Sequence, residues 1–306
     1  MDRGRAQARL LAAAGLLLLG GAAAPSQLPI REARWLKSPD IIGDLTTEPP
    51  ECLAWPREKT ARRSVAVGRA LFRSPLLLGG QAARAGLSCA SCHRNGRGNP
   101  HFHFPGISGN PGTADVTASI MSEHRGDGMF NPKPIPDLGG DPARLKVKGT
   151  AKLPAFAHGL ITQEFDGPEP SPAALAAVVA YVEALTPAAC AKDSGPLSLS
   201  SRLTDVDSAV NLAQQAYSTG DPATGRALLA AARSTLGAID ERYQVAGLKR
   251  PRDELRAADA ILFSLQQAGK GGPWSNWARD WPRHEHALRA AEARSLYNPA
   301  VLRRAL

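Results

Sequence analysis

Residues 89–93 read Cys89-Ala90-Ser91-Cys92-His93, the C-x-x-C-H spacing of a c-type haem attachment site. Two thiols at this spacing can each add to a vinyl group of one porphyrin, and His93 can then supply an axial nitrogen to the iron. A redox disulfide or half of a zinc site are the alternatives for a bare C-x-x-C pair. The histidine next to the pair and the lack of a second C-x-x-C count against both. The sequence therefore predicts one covalent haem c.

The size and composition of the chain suit a cofactor-centred fold with a second domain. The chain has 306 residues, enough for about two domains. Aromatic residues make up only 5% of it, whereas it has 29 Gly and 25 Pro, so a porphyrin would supply core surface that side chains otherwise provide. The net charge of +9 suits an acidic redox partner protein or an anionic membrane face. Nucleic acid is excluded as a partner of an exported haem protein.

Residues 1–24 have the pattern of a secretory signal peptide. Arg3, Arg5 and Arg9 precede the apolar run 10–19, and small residues follow at 20–24. An uncleaved anchor is the alternative, but the run is shorter than the roughly 20 residues of a spanning helix. No other segment of the sequence could span a membrane. We therefore expect a periplasmic or otherwise exported protein, which agrees with haem attachment outside the cytoplasm and with disulfides.

The two remaining cysteines bracket the haem region. Cys52 precedes its first predicted helix and Cys190 follows its last. In an oxidising compartment a bridge between them would tie the two ends of the domain together. Two unpaired buried thiols are the alternative. The sequence favours the Cys52–Cys190 disulfide.

The chain divides into four predicted regions, and the fold class is all-α. A proline-rich, irregular arm (25–57) follows the signal peptide and precedes a cytochrome c-like mono-haem domain at 58–190. That domain has predicted helices at 58–73 and 171–186, with loops between that enclose the haem. Gly68, on the apolar face of the first helix, has no side chain and would permit close helix–helix crossing. A small helical bundle at 196–306 is predicted to have helices at 203–217, 223–239, 251–268 and 284–296. A tryptophan stripe at 274, 277 and 281 belongs in its core or, alternatively, on a docking face.

The haem domain resembles the bacterial di-haem cytochrome c peroxidase/MauG family. The resemblance is carried by V-G-R-A-L-F-R-S-P at 67–75 and L-S-C-A-S-C-H at 87–93, similar to the L-G-x-x-L-F-F-D-P stretch and first haem motif of that family. Weaker similarity lies in K-L-P at 152–154, F-D-G at 165–167 and A-L-A-A-V-V at 174–179. The chain departs from the family in having one C-x-x-C-H rather than two and in lacking the histidine of F-H-D-G. The second haem, which stores an electron in such peroxidases, is therefore missing.

The sixth iron ligand separates the functional alternatives, because two protein ligands suit electron transfer and an open position suits peroxide or oxygen chemistry. Met121 and Met129 are the thioether candidates. His103 and His101 are the imidazole candidates, and the resemblance places His103 nearer the family's distal position, before a turn-like G-N-P-G-T at 109–113. An open iron or ligation by Tyr181 is the remaining alternative. Other histidines are expected at the surface: His124 and His158.

Two functions of different classes follow from this sequence. The first is an exported mono-haem c-type cytochrome that passes single electrons to or from a redox partner. The second, implied by the resemblance, is a peroxidase-like or MauG-like enzyme acting on hydrogen peroxide with a partner electron donor, where Glu123 or His124 would be the acid–base group. A third alternative is a haem-bearing interaction module. Arg97 and Arg125 are candidates to pair with the haem propionates.

Overall fold

The computed structural model describes residues 30–124 and 126–306 of the chain, so the predicted signal peptide and Arg125 lie outside the described residues. Helices hold 57% of the residues, and the fold is all-α as predicted. The α-helices are α1 (Ile41–Thr46), α2 (Lys59–Phe72), α3 (Pro75–Leu78), α4 (Gly80–Arg84), α5 (Cys89–Cys92), α6 (Leu153–Gly159), α7 (Pro172–Ala184), α8 (Leu199–Ser218), α9 (Pro222–Arg242), α10 (Lys249–Ala268), α11 (Trp274–Arg289) and α12 (Pro299–Ala305). The strands are β1 (Thr47–Glu48), β2 (Thr113–Ala114), β3 (Lys133–Pro134) and β4 (Gly195–Pro196).

Helices α2 and α7 form where the sequence predicts them, because each begins at a capping side chain. The Glu58 carboxylate accepts hydrogen bonds from the backbone N–H groups at the start of α2. At α7 the Ser171 hydroxyl accepts from the N–H of Ala174 at 3.1 Å, and Pro172 occupies the first turn. Both helices bury an apolar face in the core, so they form the framework of the predicted haem domain.

The crossing of α2 over α7 depends on Gly68. A Cβ atom at this position would lie 1.9 Å from the backbone oxygen of Ala177 and 2.9 Å from the Cβ of Tyr181. Only a residue without a side chain permits so close an approach of two backbones. The purpose that the sequence suggested for Gly68 is therefore confirmed.

The N-terminal arm is more regular than predicted, and the description of 25–57 as irregular is wrong in part. Residue Asp40 caps the short helix α1 by accepting from the N–H of Gly43. Strand β1 pairs antiparallel with β4, and an isolated bridge joins Leu36 to Phe102. These pairings lie far apart in sequence, so no local pattern could reveal them. The arm therefore contacts both the predicted haem domain, through Phe102, and the segment that leads into the C-terminal region, through β4.

Residues 94–170 are mainly loops, as predicted. Strands β2 and β3 pair within them, and α6 continues into a π-helical turn at Leu160–Glu164. Partly buried apolar side chains from these loops pack on the core: Ile135, Leu138, Val147 and Phe165. The loops therefore cover one side of the framework made by α2 and α7.

The C-terminal region is helical, but the predicted helix at 284–296 is wrong. Helix α11 instead runs from Trp274 to Arg289 through Pro282, and α12 follows at Pro299–Ala305. The rings of Trp277 and Trp281 stack at 4.5 Å, and both are buried. Burial of this face keeps the helix continuous across the proline. The tryptophan stripe belongs mostly to the core rather than to a docking face.

The C-terminal region packs directly against the predicted haem domain. Ser171 at the start of α7 hydrogen-bonds Thr224 of α9 at 2.9 Å, and Arg73 of α2 bonds Asp205 of α8. Buried apolar residues of both regions belong to one continuous core. No helix among residues 30–124 and 126–306 is long and apolar enough to cross a membrane.

Candidate haem-attachment site

The two motif cysteines lie on a single helical turn. In α5 the backbone N–H of His93 donates to the carbonyl of Cys89 at 2.8 Å, which closes the turn. At its start the N–H of Ser88 donates to the Ser91 hydroxyl at 3.0 Å. Cys89 and Cys92 are free thiols, three positions apart on a turn that leads directly into His93. This placement suits two bonds to one planar group, with the imidazole beside it.

The imidazole of His93 is oriented by a backbone carbonyl. Its Nδ1 lies 3.0 Å from the carbonyl oxygen of Pro136. A carbonyl can only accept, so Nδ1 carries the proton and donates, and the lone pair of Nε2 remains available. The centroids of the Phe72 and His93 rings lie 6.3 Å apart. Helix α2 and the loop at residue 136 therefore hold the ring in the tautomer that a metal ligand requires.

The three motif residues are partly buried. Burial raises the pKa of both the Cys89 and Cys92 thiols to about 12, and it lowers the pKa of His93 to about 4. All three residues nevertheless retain accessible surface. At neutral pH the thiols are protonated and the imidazole is neutral, the state in which it can bind iron.

The donor set fits a haem better than a bare metal ion. In the part of the chain that the structure describes, no group of three or more His, Cys, Asp or Glu side chains could hold a metal ion. A haem iron arrives with four porphyrin nitrogens and needs only one or two protein ligands. A single oriented imidazole beside two free thiols therefore meets the requirement of haem c and not that of a zinc site.

The methionine candidates for the sixth ligand differ in burial. Met121 is 2% exposed and belongs to the apolar core. Met129 is 62% exposed, on a loop at residues 126–131. The structure therefore places Met121 inside the protein and leaves Met129 at the surface.

The histidine candidates differ in their hydrogen-bond partners and in their exposure. Nδ1 of His101 lies 2.5 Å from the Asp44 carboxylate, which also pairs with Arg94. Nδ1 of His103 is buried without a hydrogen-bond partner. His124 is 70% exposed, and His158 hydrogen-bonds Glu169 at 3.0 Å. Of the imidazoles, only His103 combines a buried, unpaired nitrogen with the predicted position.

Two sequence-based candidates have other partners. The Tyr181 hydroxyl donates to the Glu51 carboxylate at 2.8 Å, and burial together with that carboxylate raises its pKa far above the ordinary value. A tyrosine held protonated in this way is a poor iron ligand. Arg97 pairs with Asp137, with Nη2 2.7 Å from the carboxylate, and its pairing with a haem propionate stays a prediction. The guanidinium binds the nearest carboxylate that the fold supplies.

Sequence reasoning missed a charge network near His93. Its ion pairs form two adjoining clusters, one of Arg34, Arg94 and Arg202 around Glu48, and one of Arg69 and Arg73 with Glu51 and Asp205. Asp205 accepts from Arg69 at 2.6 Å and from Arg73 at 2.9 Å. Glu51 also accepts from Tyr181, which packs against Phe72 with ring centroids 5.0 Å apart. The network ties the arm and α8 to the C-terminal end of α2, which carries Phe72 near His93.

Burial and pairing oppose each other in these carboxylates. Burial alone would raise the pKa of Glu48, but the surrounding guanidinium groups, above all that of Arg34, lower it to about 2. The pKa of Glu51 is also lowered, because Arg73 and Arg69 outweigh its burial. Asp205 behaves in the same way. All three are therefore ionised at neutral pH.

Acid should weaken the fold through this network. A carboxylate whose folded pKa is depressed contributes stability above its unfolded pKa, and loses it as the pH falls toward the folded value. For Glu48 the window runs from about 4.5 down to about 2. Its share is roughly 3 kcal/mol, from 1.36 kcal/mol per pKa unit. We expect the free energy of unfolding, measured in urea by circular dichroism, to fall steeply as the pH is lowered through this window.

Glu48→Gln should make that pH dependence shallower, whereas Glu123→Gln, which removes an exposed carboxylate, should leave it unchanged. Equal slopes in all three proteins would contradict the role of the network.

Comparison with protein-family models, curated proteins and solved structures finds no match to this chain, so the family resemblance rests on the motif residues alone.

Proposed function

We propose that this protein is an exported mono-haem c-type cytochrome that carries single electrons through a covalently bound haem. The observation that carries the proposal is the hydrogen bond from His93 Nδ1 to the Pro136 carbonyl, beside two free thiols on one helical turn. In this assignment Cys89 and Cys92 attach the porphyrin and Nε2 of His93 is the proximal ligand. The bound haem would supply an iron that alternates between ferric and ferrous states.

In electron transfer the protein's own residues would hold the iron and limit the structural rearrangement of its surroundings. The Pro136 carbonyl keeps the His93 ring in one tautomer, which raises the basicity of Nε2. Phe72 packs beside the ring, and Tyr181 packs beside Phe72. A fixed ligand and an apolar surrounding reduce the rearrangement that accompanies a change of iron charge. The Cys52–Cys190 disulfide supports the proposal of an oxidising, exported location.

The alternative is a peroxidase-like or MauG-like enzyme acting on hydrogen peroxide with a partner electron donor. It needs an open iron position and an acid–base group above it. The acid–base candidates, Glu123 and His124, are both exposed, and His124 lies 3.8 Å from the Asp166 carboxylate. The enzyme therefore has less support than the electron carrier. The net charge of +9 supports an acidic redox partner for either function.

Electron paramagnetic resonance of the purified ferric holoprotein tests the proposal. We expect a low-spin signal, because an electron carrier has two protein ligands. Met121→Ala and His103→Ala each remove one buried candidate, and the variant with an altered signal identifies the sixth ligand. Met129→Ala and His101→Ala are the matched controls, since Met129 is exposed and His101 pairs with Asp44. A high-spin signal in the unmodified protein would favour the enzyme, and a protein without haem would overturn both.

A further inference from the structure

The Cys52–Cys190 disulfide has one buried side and one side open to solvent. Cys52 is 0% exposed, whereas Cys190 is partly exposed and lines an open groove of about 900 Å³. Loop segments at 97–100, 111–113 and 134–137 form much of this groove. Its volume lies within the roughly 300–1,000 Å³ of small-molecule sites. Of the two bridged cysteines, Cys190 lines the groove and Cys52 does not.

A guanidinium lies directly against the disulfide. Nη1 of Arg97 is 3.1 Å from Sγ of Cys52 and 3.5 Å from Sγ of Cys190. Asp137 holds the opposite edge of the group, with Nε 2.8 Å and Nη2 2.7 Å from its carboxylate. Nη1 is thereby kept toward the sulfurs. A cation at this distance stabilises a thiolate, and a stabilised thiolate is a better leaving group.

We propose that Cys52–Cys190 is a thiol–disulfide exchange site for low-molecular-weight thiols, attacked at Cys190 with Cys52 as the leaving thiolate. The incoming thiolate forms a bond to Sγ of Cys190, and the Cys52–Cys190 bond breaks with its electron pair on Sγ of Cys52, beside Arg97. A second thiolate then attacks the outer sulfur of the mixed disulfide and releases Cys190 as a thiolate. Two thiols are oxidised to one disulfide, and their protons pass to the two cysteines.

This assignment gives Arg97 a role that pairing with Asp137 alone does not explain. If Arg97 only fastened the loop at residue 137, its replacement would loosen the groove, and the rate of disulfide reduction would not depend on the positive charge beside the sulfur. If it stabilises the Cys52 thiolate, its replacement slows reduction even in a correctly folded protein. The motif cysteines do not compete in this exchange, because under the proposed function, on which this step rests, Cys89 and Cys92 are bonded to the porphyrin and carry no free thiol.

The cysteine sulfur that the thiolate attacks can be identified in the unmodified protein. The full-length protein is treated with 2-mercaptoethanol at neutral pH without denaturant, quenched with acid and mapped by peptide mass spectrometry. We expect the first mixed disulfide on Cys190, while the helical circular dichroism signal stays unchanged. A first adduct on Cys52, or reduction that begins only in denaturing urea, would overturn the proposal.

The role of Arg97 is tested by the rate of the same reaction. Arg97→Met should slow reduction about tenfold, as expected when a leaving thiolate loses an adjacent cation. Lys192→Met removes an equal charge from the same groove and should leave the rate within about twofold. Arg97→Lys should recover part of the rate, which a loss of folding could not do. Equal rates for Arg97→Met and Lys192→Met, with both proteins folded, would rule out the proposed stabilisation.

Discussion

Gly68→Ala should destabilise the protein by about 3 kcal/mol or more, a large share of the roughly 5–15 kcal/mol that holds a folded protein together. The new Cβ would lie 1.9 Å from the backbone oxygen of Ala177 and 2.5 Å from its carbonyl carbon. A backbone carbonyl inside α7 cannot rotate away, so the two helices must separate. In an unobstructed helix the same change would instead stabilise by about 1 kcal/mol. The clash therefore reverses the expected sign.

Urea unfolding followed by circular dichroism measures this effect. Gly195→Ala is the matched control, because a Cβ at Gly195 meets no atom within 4 Å. We expect the control to unfold at nearly the midpoint of the unmodified protein. If Gly68→Ala unfolded at the same midpoint as the control, the close crossing of α2 over α7 would be wrong.

Replacing Cys89 and Cys92 together with alanine should remove all covalently bound haem. In the proposed site these are the thiols that reach the porphyrin, and both are free on the turn of α5. The measurement is the pyridine haemochrome spectrum after acid–acetone extraction, for protein exported from cells that carry a cytochrome c maturation system. We expect the signal of the double variant to fall to background.

Two further variants serve as comparisons in this test: His93→Ala and the disulfide variant Cys52→Ser/Cys190→Ser. The His93 change should leave thioether-bound haem but alter its spin state, because only the axial nitrogen is lost. The disulfide variant removes the same number of cysteines and should retain its haem. Covalent haem that persisted without Cys89 and Cys92 would contradict the assignment.

Local sequence patterns predicted the parts of the fold whose causes are local. Helices α2 and α7 begin at Glu58 and Ser171, and both are followed by proline a few residues after they end, so neighbouring residues define their limits. The C-x-x-C-H motif lies within one turn of chain, so its three side chains must be close in any structure. Gly68 was recognisable for the same reason, as a glycine on the apolar face of a predicted helix.

Local sequence patterns did not predict the contacts between segments that are distant in the sequence. The Pro136 carbonyl that orients His93 is 43 residues away, and Asp205 meets Arg73 across 132 residues. Helix α11 continues through Pro282 because Trp277 and Trp281 are buried, which a local rule for proline does not anticipate. The arm contains α1 and β1 because β4 and distant loops provide its partners.

The sequence by itself determined the all-α class, the two framework helices and the motif that predicts a haem. Only the tertiary structure decided the tautomer of His93, the partner of Arg97 and which candidate ligands are buried. The physical reason is that capping, helix propensity and motif spacing act over a few residues. Burial and charge pairing instead depend on which distant segments the folded chain brings together.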